Sequence, residues 1–139
     1  MKTPKLIIFS GLPGSGKSAV AEHVSRVLNI PVFAKDWLEA TLKRCDLQPK
    51  KPDGRNLGYA SYDLLTTLAE RQLMLGQSAI LDSVASVTSI REDWRALAQQ
   101  YQAAWKVIEC FCSNEEIHRE RLINRQRGIK GWHELPWSE

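Results

Sequence analysis

Apolar positions along the chain follow two alternating rhythms. Lys5 to Phe9 is a short apolar run closed by Ser10-Gly11, after which Val20, Ala21, Val24, Val27 and Leu28 recur at helical spacing. This predicts a strand, a loop and a helix. Ile30-Pro31-Val32-Phe33 reads as a second strand, and Asp36 to Cys45 as a helix with Leu38, Leu42 and Cys45 turned inward. Asp46 to Gly54, with two prolines and a glycine, breaks that helix and forms the one long loop. Leu64, Leu65, Leu68 and Leu75 predict an amphipathic helix stopped by Gly76, and Ser78 to Leu81 a third strand. Ser89 with Glu92 has the spacing of a capping box, opening a helix with Ile90, Trp94, Leu97 and Tyr101 on one face. Trp105 to Phe111 follows as the fourth strand. Ser113 with Glu116 opens a last helix that turns basic through Arg119, Arg121, Arg125 and Arg127. Strands separated by helices imply an α/β fold with a parallel sheet covered on both faces, which puts binding sites at the carboxyl ends of the strands.

Composition fits that picture. A length of 139 residues suits one domain, 1–139, and 43% apolar with 25% charged residues excludes disorder. A net charge of +3 is too weak to demand nucleic acid or an anionic membrane, though it suits small phosphorylated ligands. The apolar runs are far shorter than the ~20 residues of a membrane span, and Met1-Lys2-Thr3-Pro4-Lys5 lacks the apolar core of a signal peptide. The expectation is a cytoplasmic chain with no membrane partner. Cys45, Cys110 and Cys112 are an odd number and make no disulfide framework; Cys110 and Cys112 share one face of the fourth strand as structural residues.

The chemistry is carried by Gly11-Leu12-Pro13-Gly14-Ser15-Gly16-Lys17-Ser18, which matches G-x-x-x-x-G-K-[ST], the P-loop, between a predicted strand and a predicted helix. Its glycines let backbone N–H groups turn onto phosphate oxygens, aided by the helix dipole. Lys17 is expected to reach the β- and γ-phosphates and Ser18 to ligate Mg²⁺, so ATP and Mg²⁺ are the expected cofactors. Asp82 ends the apolar run Ala79-Ile80-Leu81, where a carboxylate can support the metal directly or through water, or else cap the following element. Ser83 follows it, where many hydrolytic motors carry a glutamate, and the N-K-x-D motif of GTPases is missing. Motor ATPases and G-protein switches are thereby disfavoured.

Asp36 has two readings. It is either the N-cap of the second helix or a carboxylate facing the γ-phosphate that accepts a proton from an acceptor hydroxyl. Arg121 and Arg125, four apart on one helical face, either stabilise a transferring phosphoryl group or form a solvated basic helix end. Arg91 and Arg95 read as surface residues, with Arg91 near enough to a helix start to reach a substrate. Trp94 and Trp105 fall in core-facing patterns, and the spacing of His23, His118 and His133 suggests no catalytic dyad.

Taken together these residues resemble the P-loop kinase-like family of small AAA-type proteins that includes polynucleotide kinases, zeta toxins, chloramphenicol phosphotransferase and gluconate kinase. The resemblance rests on Gly11 to Ser18, on Asp36 after the second strand, on Ile80-Leu81-Asp82-Ser83 followed by Arg91, and on Arg121-x-x-x-Arg125. It implies a three-layer P-loop NTPase sandwich with strand order 2-3-1-4, Asp36 as the base, and a lid over about 113–131 whose arginines close on ATP. That family often reads Asp-x-x-Arg where this chain has Asp36-Trp37-Leu38-Glu39. The expected function is an ATP- and Mg²⁺-dependent phosphotransferase acting on a hydroxyl of a small molecule or nucleic-acid end. The alternative is a nucleotide-binding regulator or low-turnover ATPase. Relatives continue into a fifth strand, absent from the pattern here, so a shortened or truncated chain is expected. Its fourth strand would then be an edge open to pairing with a second copy or to cover from the tryptophan-rich tail, and ATP and GTP would be held alike.

Overall fold

A computed structural model describes residues 3–11, 16–45, 57–83 and 88–110. Its elements are β1 (Lys5–Ser10), α1 (Lys17–Leu28), β2 (Val32–Ala34), α2 (Lys35–Arg44), α3 (Leu57–Met74), β3 (Ala79–Asp82), α4 (Thr88–Gln100) and β4 (Ala104–Glu109). The four strands form one parallel sheet in the order β2-β3-β1-β4. β1 and β3 are central and read as unbroken apolar runs because both of their faces are covered. Their alternate side chains enter different layers. Leu6, Ile8, Ala79 and Leu81 pack with Leu65, Ala69 and Leu73 of α3 and Trp94, Leu97 and Ala98 of α4. Ile7, Phe9 and Ile80 face the other way, onto Ala21 and Val24 of α1. The result is the three-layer α/β sandwich expected from the pattern.

Several boundaries and faces differ from expectation. α2 starts at Lys35 with extended Ala34 at its N-cap, so Asp36 lies inside the first turn and is not the cap. Cys45, expected inward, ends that helix and is exposed. α3 is longer than the leucine pattern implied, and its buried face is Ser61, Leu65, Ala69 and Leu73, an i, i+4 stripe; Leu64 and Leu75 point to solvent. On α1 only Lys17 and Ala21 are buried, while Val20, Val27 and Leu28 are exposed. β2 begins at Val32 and β4 ends at Glu109, both short of the apolar runs that announced them. α4 already includes Thr88, so Ser89 is a helical residue and not the N-cap. Gly76 does stop α3, at φ +72°, with Gln77 N–H donating to Gln72 O. The P-loop residues Leu12, Pro13, Gly14 and Ser15, the lid with Arg121 and Arg125, and Phe111 and Cys112 lie outside the described residues, as does any strand after β4.

Candidate functional site

Parallel pairing brings the carboxyl ends of the strands into one line. Phe9 and Ala34 both pair with Asp82, and Ser10 pairs with Glu109. Gly16 opens α1 at φ 88°, a left-handed conformation that glycine adopts without a Cβ clash, and so aims the helix N-terminus at this edge. Lys17 is the first residue of that helix and is 8% exposed. Its Nζ donates to Asp82 Oδ1 at 2.6 Å, an ion pair between β3 and α1 whose partners are both buried. A buried lysine at a helix N-terminus opposes the helix dipole, so the carboxylate supplies the negative charge this position requires. Ser18 stands beside Lys17, half-buried.

Around this pair the strand ends are held by further contacts. Ser83 N–H donates to Phe9 O, and Cys110 N–H to Ser10 O. Arg91 reaches in from α4, donating to Ser10 Oγ at 2.8 Å and pairing with Glu109 Oε1 at 2.8 Å, so it ties β1 to β4. It is therefore a strut at the sheet edge where the sequence suggested a surface residue. Cys110 packs against the α1 layer. Burial pushes its thiol up; nearby Lys17 pulls it down and Asp82 pushes it up, which places the thiol within electrostatic reach of the pair. Ser83 Oγ is buried next to Asp82 and has no hydrogen-bond partner among the described residues. An unsatisfied hydroxyl costs about 1–3 kcal/mol, which a polar ligand at this edge would relieve.

A second region adjoins Asp82. A pocket of about 300 Å³ is lined by the three residues of β2, by Trp37 and Leu38 of α2, by Glu22 of α1 and by Asp82. Asp36, half-buried in the same turn as Trp37, is not among the residues that line it. Sequence reasoning missed Trp37 and Glu22 as site residues. The available signal was a tryptophan immediately after an acidic residue at the carboxyl end of a strand. Among the described residues no three His, Cys, Asp or Glu side chains cluster to hold a metal unaided. Ser18 and Asp82 flank Lys17 and suit a cation that takes one or two protein oxygens and completes its shell with phosphate and water, as Mg²⁺ does.

Residues 6–131 match the family model described as AAA domain. The chain belongs to that family. An uncharacterised protein of Mycobacterium tuberculosis strain H37Rv is 27% identical over 134 residues, covering 91% of this chain and 26% of the relative. The chain thus spans about a quarter of the length of the curated relatives it matches. Among solved structures, one described as a candidate kinase from Chloroflexus aurantiacus is 26% identical with a TM-score of 0.77, over 90% of this chain and 68% of that one. The APS kinase CysC of Mycobacterium tuberculosis, solved with AMPPNP and APS, has a TM-score of 0.66 at 19% identity, over 99% of this chain and 86% of that one. The fold is that of P-loop kinases. No helix among the described residues is long and apolar enough to cross a membrane.

Proposed function

We propose that the chain is an ATP- and Mg²⁺-dependent phosphotransferase that acts on an acceptor hydroxyl. The observation that carries this reading is the buried Lys17–Asp82 pair where α1 begins and β3 ends, 2.6 Å apart. Such a pair gives little stability over an apolar replacement, so its retention here is best explained by a ligand that uses both charges. In this reading Lys17 turns to the β- and γ-phosphates, while the backbone N–H groups of Gly11, Leu12, Pro13-flanked Gly14, Ser15 and Gly16 with the start of α1 cradle them. Ser18 and Asp82 hold Mg²⁺, and the unpartnered Ser83 hydroxyl gains a polar neighbour. The metal, when bound, neutralises charge on the transferring group.

Asp36 accepts the proton of the acceptor hydroxyl as that oxygen bonds to the γ-phosphorus. The bond from phosphorus to the β–γ bridging oxygen breaks, and ADP leaves. Arg121 and Arg125 supply guanidinium charge to the transferring oxygens. Kinase structures among the fold neighbours, one of them holding AMPPNP and APS, support the reading. ADP release measured with and without hydroxyl compounds tests it. Acceptor-stimulated, Mg²⁺-dependent release is expected; slow release indifferent to every acceptor would indicate an ATPase or regulator instead.

A further inference from the structure

The pocket beside Asp82 carries chemistry of its own. Among the described residues its walls are mostly apolar, from Val32, Phe33, Ala34 and Leu38, and the two charged ones, Glu22 and Asp82, are both acidic. Asp82 is answered by Lys17. Lys35, the nearest cation on α2, is held by Glu39 at 2.9 Å and lies over the Tyr62 ring, 5.6 Å from its centre, so it is committed elsewhere. An anionic acceptor would therefore meet the Glu22 carboxylate with no cation of the described lining to pair with, at the cost of desolvating a charge. Trp37, by contrast, lines the pocket while 49% exposed, a large aromatic face at its rim. A volume of about 300 Å³ is at the small end for ligand sites and suits a ring compound of sugar or nucleoside size.

We infer that this pocket takes an uncharged hydroxyl compound with an apolar ring face, stacked on Trp37, and rejects acceptors that carry a phosphate or carboxylate near that ring. The inference rests on the phosphotransferase reading only for the step that follows binding. It separates small neutral acceptors from nucleic-acid ends, whose phosphates the Glu22 carboxylate disfavours.

Binding to the full chain, followed by ligand-observed NMR titration, tests this with three probes: phenyl β-glucoside, methyl β-glucoside and phenyl β-glucuronide. Phenyl β-glucoside is expected to bind about three- to tenfold more tightly than the glucuronide, because the like charge of Glu22 opposes the latter. Trp37→Ala should weaken phenyl β-glucoside about three- to tenfold, leave methyl β-glucoside within about twofold, and keep the thermal midpoint of the wild type; Trp37→Phe should restore most of the loss. Glucuronide binding as tight as glucoside binding, no effect of Trp37→Ala, or no binding of any probe would overturn the assignment. Binding as expected without phosphoryl transfer from ATP would leave the pocket assignment standing and remove the phosphotransferase reading.

Discussion

The region around Lys17 and the pocket around Trp37 share Asp82 and one edge of the sheet, yet they are built by opposite means. The first uses a left-handed glycine, a helix N-terminus and a buried ion pair, each fixed by backbone geometry. The second uses apolar walls and a half-exposed aromatic ring, set on the short β2 strand and the first turn of α2. Phosphate is the same group in every nucleotide, so a site for it can be standard. An acceptor differs from one enzyme to the next, so its pocket is shaped by side chains without a common pattern. The lesson is that one edge can carry an electrostatic device set by backbone geometry beside an apolar one set by side chains, joined through a single carboxylate.

The largest expected effect breaks the first region. Lys17→Ala should abolish turnover and weaken MgATP binding by about 10²–10³-fold in calorimetric titration. It should also cost about 3–5 kcal/mol of stability, because Asp82 is left buried without its partner. The double variant Lys17→Met with Asp82→Leu separates the two effects: stability in urea returns to near wild type and nucleotide binding does not. Unaltered MgATP affinity in a folded Lys17→Ala protein would remove the proposed phosphate site.

Asp36→Asn tests the proposed transfer step between the regions. The structure excludes the N-cap explanation, since Ala34 occupies that position and Asp36 lies in the first turn of α2. As the proposed base, its loss should lower the phosphoryl-transfer rate about 10²–10⁴-fold while MgATP affinity holds. A variant with normal turnover would leave Asp36 a structural residue of the first helical turn, where its charge favours the dipole.

Smaller changes sharpen the contrast. Ser83→Ala removes a buried hydroxyl that has no partner, so the free protein should gain about 1 kcal/mol in thermal unfolding. The same change should weaken MgATP binding about fivefold if Ser83 serves a polar ligand, giving two effects of opposite sign. A loss of stability in the free protein would show that the hydroxyl is already satisfied. Cys110 gives the smallest signal. Because burial raises its pKa, it stays a thiol at neutral pH, and its alkylation by iodoacetamide should lag behind that of exposed Cys45 until the pH is well into the alkaline range. In stability terms the neutral thiol is the favoured folded form, so the contribution is full below the usual thiol pKa and fades as pH climbs through the raised one. Peptide mass mapping at two pH values would show it, and equal labelling of the two cysteines at neutral pH would refute it.

The sequence disclosed these regions unevenly, for physical reasons. β1 and β3 were legible because a strand buried on both faces must be apolar throughout, and Gly16-Lys17-Ser18 because phosphate binding needs those residue types at that spacing. Strand order was legible only through family resemblance. Helix existence followed from periodicity, but helix faces did not. α1 buries little beyond Lys17 and Ala21, so its valines at positions 20 and 27 mislead, and α3 buries small residues that a search for leucines passes over. Arg91 gave no hint of its contacts because Ser10 and Glu109 are distant in sequence. Trp37 carried a weak signal in its place after Asp36 at a strand end, but an aromatic in a helix reads as core unless the fold shows it at a pocket rim.

The most direct measurement follows the γ-phosphoryl group of labelled ATP in the presence of Mg²⁺ and phenyl β-glucoside. The account predicts label on the glucoside, lost when Mg²⁺ is chelated or Lys17 is replaced by alanine, and reduced about 10²–10⁴-fold by Asp36→Asn. Label appearing only as inorganic phosphate, at one rate with and without the glucoside and in wild type and Asp36→Asn alike, would contradict it.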